Sequence, residues 1–180
     1  MSLHADALAV LTAWTPPTAD QRRLRDRYVA HLRAHADGMW RESYPDHLTA
    51  SALVVAPDAG SVLLTLHRKA GRWFQIGGHC EPTDRSLADA ALREAREESG
   101  ITELRLDPVP VQLSEHRVPF CDPRGGASHL DVRFLARAPL HAEPVASAES
   151  ADVRWWPVTD LPNQDPDLVE LVGLALARDA

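Results

Sequence analysis

The sequence predicts an α/β fold: a mixed β-sheet held between helices as an α/β/α sandwich, preceded by a helical extension. Three observations lead there. Residues 3–35 read as two helices, residues 47–158 carry short apolar segments of strand texture between turn clusters, and one acidic helix interrupts those strands mid-chain. With 180 residues, 44% hydrophobic and 25% charged, the chain has the length and the apolar content to bury one such core. The expected division is a helical extension over residues 1–45 and a second domain over residues 46–180.

In the extension, residues 3–14 form a short helix that Thr15-Pro16-Pro17 breaks, and residues 20–35 form a second. Leu24, Tyr28 and Leu32 share a face of that second helix, while Arg22, Arg23, Arg25, Arg27 and Arg33 lie mostly elsewhere, the pattern of a solvated amphipathic helix. A net charge of −7 agrees, because an acidic surface repels phosphate backbones; long nucleic acids are not expected as partners. From His47 the texture changes. Residues 48–55 and 62–66 flank the turn cluster Pro57-Asp58-Ala59-Gly60 and predict a hairpin. Residues 73–76, 104–106 and 109–113 add short strands. Residues 131–136 alternate, and pair through the loop Asp122-Pro123-Arg124-Gly125-Gly126 with the segment ending at Phe120. Residues 153–158 form a late strand, and Asp165 as N-cap with Pro166 at the first helical position starts a helix that runs to about Ala177. Trp73, Trp155 and Trp156 read as core residues of these strands. No apolar run approaches the ~18 residues of a membrane span, and residues 1–14 lack a basic leader region, so a cytoplasmic protein without a membrane partner is expected. Cys80 and Cys121 are expected as free thiols.

The chemistry concentrates in Arg93-Glu94-Ala95-Arg96-Glu97-Glu98-Ser99-Gly100-Ile101. Ser86-Leu87-Ala88-Asp89 has the form of a capping box, so a helix starts near Leu87 and ends near Ser99 with Gly100 as its stop. On that helix Glu94, Glu97 and Glu98 fall within an arc of about 100°. Like charges at this spacing repel by a few tenths of a kcal/mol per pair, so solvent or a cation must screen them. Ala88, Ala91, Leu92, Ala95 and Ser99 form a stripe of mostly small residues that lets the helix lie close to a sheet. Upstream, Gly77-Gly78-His79-Cys80-Glu81-Pro82 follows the apolar run Trp73-Phe74-Gln75-Ile76, and the paired glycines suit a bend where backbone approaches a ligand closely.

This strand, glycine loop and acidic helix resemble the signature of the Nudix hydrolases, G-x5-E-x7-R-E-U-x-E-E-x-G-U with U aliphatic, over Gly78 to Ile101. Arg93, Glu94, Ala95, Glu97, Glu98, Gly100 and Ile101 occupy the places of its second half. The loop is one position longer than the box requires, Asp84 stands for the first glutamate, and Ile76 replaces the usual proline before the glycines. The resemblance implies a Nudix-like sandwich and a pyrophosphohydrolase, in which water attacks phosphorus in a nucleoside diphosphate linked to another group. It implies Mg²⁺, with Mn²⁺ as a substitute, held by Glu94, Glu97 and Glu98. Glu97 and Glu94 are the catalytic candidates, with Arg93 orienting Glu97 across one helical turn. Gly77, Gly78 and His79 are the substrate-binding candidates. The partner implied is a small phosphoanhydride, and homodimers are common in this family.

Glu115 and Asp131 are outside candidates for a general base, but strand-end carboxylates are more often exposed or hydrogen-bonded structural groups. His79, Cys80, His116, Cys121 and His129 contain no closely spaced ligand pair of the zinc type, which disfavours a zinc site. Residues 73–82 distantly resemble the cysteine segment of isopentenyl diphosphate isomerases, although Cys80 follows its histidine instead of preceding it. A non-catalytic nucleotide-sensing domain is the remaining alternative; retention of all three helix glutamates favours hydrolysis.

Overall fold

The computed structural model describes residues 1–118, 121–148 and 150–179. The elements are α1 (Leu3–Ala13), α2 (Ala19–Ala34), β1 (Asp46–Val55), β2 (Ser61–His67), β3 (Arg72–Phe74), β4 (Ile76–His79), α3 (Leu87–Ser99), β5 (Arg105–Arg117), β6 (Ser128–Arg137), β7 (Ser150–Pro157) and α4 (Pro166–Asp179). Among the described residues, seven strands form one sheet in the order β3-β2-β1-β6-β5, with β4 also paired to β1 and β7 to β2. The sheet is mixed: β1 and β6 run parallel, and the other pairs are antiparallel.

Strand alternation sorts the sheet into two faces. Leu48, Ala50, Leu130, Val132 and Phe134 pack with Leu87, Ala90 and Ala91 of α3 and with Leu3, Ala7, Leu11, Tyr28 and Leu32 of α1 and α2. Ala52, Val54, Leu63 and Ile76 continue that layer against Ala95. Leu53, Val55, Val62, Leu64 and Leu135 face the other way, against Leu168, Leu171, Val172 and Ala175 of α4. This second face is apolar only over half its length. Its remainder carries His47, Thr49 and Ser51 on β1 and His129, Asp131 and Arg133 on β6, paired in register.

The helical extension shares the core of the sheet. Gln21 of α2 donates through Nε2 to the Leu113 carbonyl at 3.0 Å and accepts from the Leu113 amide at 2.6 Å, so its side chain occupies the backbone of edge strand β5. Arg27 bridges Glu115 and Asp46. Asp6 of α1 accepts from the first helical amide of α3, Leu87 N–H, at 2.9 Å.

The structure departs from two expectations. The strands expected over residues 104–106 and 109–113 are one strand, β5, with a register irregularity between Asp107 and Gln112. The bend expected at Gly77-Gly78 is strand β4, where Gly77 pairs with Ser51 and Gly78 with Ala50. In the capping box Ser86 accepts from the Asp89 amide as expected, but the next free donor, Leu87 N–H, is taken by Asp6. Phe120, expected to end the strand before β6, lies outside the described residues.

Candidate active site

The site is built on α3 where it crosses β4. Its N-cap is Ser86 and its stop is Gly100 at φ 70°, a left-handed conformation suited to glycine. Buried Ala91 and Ala95 bring the helix close to the sheet. The approach is tightest at Gly78: a Cβ there would lie 2.8 Å from the Glu94 carboxylate. Glycine in β4 is thus required by close approach to an acidic side chain, not by a turn; neither Gly77 nor Gly78 has a positive φ.

Arg93 is the hub that orders the acidic groups. Its Nε and Nη2 donate to the two oxygens of Asp84 at 3.0 and 3.1 Å, Nη1 donates to Glu94 at 2.9 Å and to Glu97 at 3.2 Å, and Nη2 donates to the His79 carbonyl at 2.9 Å. Donation to Asp84, and after it to Glu94, outweighs burial and raises the guanidinium pKa above its already high value. Asp84, whose side chain is 4% exposed, also accepts from the Glu81 amide at 2.7 Å. The longer loop therefore closes on Arg93 through an aspartate. Glu94 is 15% exposed beneath this clamp, whereas Glu97 is 60% exposed and faces solvent. The structure brings together Arg93, Glu94, Glu97 and Gly78, with Glu98 one residue further along the same helix. An open groove of about 700 Å³ runs from the chain's first residues past Trp40 to Pro82–Arg85 and reaches this site through Asp84.

His79 and Gly77 point elsewhere. His79 pairs with Thr49, so its ring falls on the sheet face opposite α3, where its Nε2 lies 3.4 Å from Cys121 Sγ. Only its carbonyl serves the Arg93 hub. A Cβ on Gly77 would meet Ser51 Cβ at 2.2 Å, so that glycine is filled by the neighbouring strand. Of the outside base candidates, Glu115 is held by Arg27 at 2.6 and 2.8 Å. Asp131 is buried and accepts from Thr49, Ser51, Gln75 and Arg133. Burial alone would raise the Asp131 carboxyl, but the Arg133 charge and these donors hold it below the usual range. Cys80 is buried on the α3 face, and burial, then the charge of Asp84, pushes its thiol up to about 12. Such a thiol is a poor acid for isomerase chemistry.

A sheet carrying a helix of clustered carboxylates, clamped by one arginine against a glycine strand, is an arrangement suited to holding a hard cation and the phosphate oxygens it binds. The family model of the NUDIX domain matches residues 45–172, and the chain belongs to the NUDIX family. Among solved structures, a NUDIX family hydrolase from Clostridium perfringens is 26% identical, with TM-score 0.59 over 73% of this chain and 97% of that one. The NUDIX domain of Shewanella oneidensis NrtR, solved with ADP ribose, is 25% identical, with TM-score 0.54 over 74% of this chain and 88% of that one. The E. coli dihydroneopterin triphosphate pyrophosphohydrolase, at 17% identity and TM-score 0.57 over 72% of this chain and 95% of that one, shares the fold. No curated protein matches the sequence. The family cleaves phosphoanhydride bonds in nucleoside diphosphate derivatives, and the chain is a pyrophosphohydrolase of that family. Among the described residues, no helix is long and apolar enough to cross a membrane.

Proposed function

We propose that the chain hydrolyses the diphosphate bridge of a nucleoside diphosphate linked to a second group, using Mg²⁺ held by Glu94, Glu97 and Glu98. The observation that carries this reading is the Arg93 clamp. It fixes Glu94 against Gly78 and leaves Glu97 reaching into solvent, so the acidic face has one anchored and one accessible carboxylate. The donors are all hard oxygens, the set that suits Mg²⁺, with Mn²⁺ able to replace it. A cation held by these residues would supply neutralisation of phosphate charge and a lowered pKa for an attacking water.

The chain's own groups supply the rest. Glu94, anchored by Arg93 and packed on Gly78, is the fixed ligand. Glu97 would accept the proton of the attacking water; its support is that, of the two, it is the one both oriented by Arg93 and open to solvent. Arg93 orients the carboxylates and leaves the phosphates to the open side. The absence of a side chain at Gly78 leaves room for the Glu94 carboxylate against β4, and the His79 carbonyl accepts from Arg93 and braces it. A nucleotide-sensing role without chemistry has less support, since every carboxylate of the box helix is retained.

Incubating the protein with nucleotide sugars, dinucleoside polyphosphates, ADP-ribose and nucleoside triphosphates, and following phosphate or pyrophosphate release with Mg²⁺ and with Mn²⁺, tests the reading. Glu97→Gln and Glu98→Gln are expected to lower turnover of the best substrate by orders of magnitude with the fold intact. Full Mg²⁺-dependent activity in both variants would overturn it.

A further inference from the structure

On the sheet face opposite the box helix, four potential ligands converge from separate segments: His47 on β1, His79 at the end of β4, His129 on β6 and Cys121 from the connection between β5 and β6. Their ligand atoms all lie within 4.8 Å of one another. Cys121 Sγ stands 3.7 Å from His47 Nε2, 3.4 Å from His79 Nε2 and 3.5 Å from His129 Nε2. With Zn–S of about 2.3 Å and Zn–N of about 2.0–2.1 Å, the sulfur–nitrogen edge of a tetrahedron is about 3.5–3.6 Å. The three observed edges bracket that value.

The thiol has one proton to donate and its sulfur is a weak acceptor, so hydrogen bonding alone gives three imidazole nitrogens little reason to converge on it. Ring orientation points the same way. His47 Nδ1 lies 3.3 Å from the Ser43 carbonyl, which fixes the proton on Nδ1 and turns the Nε2 lone pair toward the centre.

We propose that His47, His79, Cys121 and His129 form a closed, structural tetrahedral site for Zn²⁺, distinct from the carboxylate site on α3. Three imidazoles and a thiolate are soft and borderline donors that select zinc over the Mg²⁺ of the hydrolytic site. Binding forms the metal–sulfur bond as the Cys121 thiol releases its proton to solvent. Four protein ligands leave no open position for substrate, so the site's work is mechanical. It ties β1, β4 and β6 to the β5–β6 connection, and the strand end it holds carries the His79 carbonyl that braces Arg93.

The full chain, purified without chelator and analysed for metal, is expected to carry one Zn²⁺ per molecule. Exchange with Co²⁺ should give the intense visible bands of tetrahedral cobalt and a near-ultraviolet thiolate-to-cobalt band. In Cys121→Ser the thiolate band should vanish. In that variant and in His129→Gln, Zn²⁺ should bind more weakly by over the roughly 10–100-fold that losing an outer-shell partner costs. Circular dichroism checks that both are folded; if His129→Gln is not, Cys121→Ser, at a half-buried position, decides. Glu97→Gln and Glu98→Gln should keep the cobalt spectrum unchanged, which separates this site from the hydrolytic one. Absence of stoichiometric Zn²⁺ and of any thiolate-to-cobalt band in the unmodified protein would overturn the proposal, as would unchanged affinity in Cys121→Ser.

Discussion

Gly77 and Gly78 adjoin in sequence and answer to opposite faces of the sheet. An added Cβ at Gly78 meets the carboxylate end of the long Glu94 side chain, at 2.8 Å, while one at Gly77 meets Ser51 Cβ at 2.2 Å and Cα at 2.5 Å. The first neighbour can swing away and the second cannot. Gly78→Ala is therefore expected to leave the melting temperature nearly unchanged but to lower turnover by about 10–100-fold, since it displaces an anchored carboxylate by the order of an ångström. Gly77→Ala should destabilise the fold by about 1–3 kcal/mol through overpacking. Thermal melts and steady-state rates on the two variants check the contrast; a large drop in stability for Gly78→Ala would contradict it. A glycine pair reads equally as a turn or as a close approach, and only the strand lying across it decides which. The same parity explains His79: once β4 is a strand, its ring must turn away from Glu94. Arg93, Glu94, Glu97 and Glu98 were legible as a group because helical spacing alone sets their mutual positions.

Local caps were legible for the same reason, and caps supplied from afar were not. Ser86 and Gly100 bound α3 as their spacing predicted, and Asp165 accepts from the Asp167 amide at the start of α4. Nothing near Leu87 or Leu113 in sequence announced that Asp6 would cap one and Gln21 the other. Both contacts dock the N-terminal helices onto backbone of the sheet layer. Gln21 is 3% exposed, so Gln21→Leu would strip partners from a buried N–H and a buried C=O of β5 together. A loss of about 1–3 kcal/mol in urea unfolding is expected, with the slope of the transition unchanged. Asp6→Ala removes a single cap acceptor and should cost about 1 kcal/mol. If neither variant shifts the midpoint, the helices contribute little beyond coverage. The connection between β5 and β6 shows the opposite limit. His47, His79, Cys121 and His129 come from four segments with no short spacing among them, so only strand register could have assembled them.

At the scale of the whole molecule, the first two helices and the sheet bury one continuous apolar cluster, running from Leu3 through Tyr28 and Leu32 to Leu48, Leu130 and Phe134. The family match begins at residue 45, so this chain's helical extension completes a core that the NUDIX segment leaves apolar on one face. His31 lies within this junction, 8% exposed, with Nε2 at 3.3 Å from the Gly38 carbonyl. Burial lowers its pKa from the ordinary value, outweighing the Gly38 hydrogen bond that raises it. The unfolded chain thus takes up a proton near pH 6.5 while the folded one does not, and below that pH the unfolded state binds more protons. Stability from the neutral ring is complete above pH 6.5 and declines as pH falls below it, until the folded form protonates in turn. Other histidines are lowered in the same direction, so His31 is isolated by difference. Urea unfolding of the unmodified chain and of His31→Gln at pH 7.5 and 5.5 should show the unmodified chain losing more stability between the two, because glutamine keeps a donor to Gly38 but takes up no proton. Equal losses would mean that the helical junction does not sense pH through this residue.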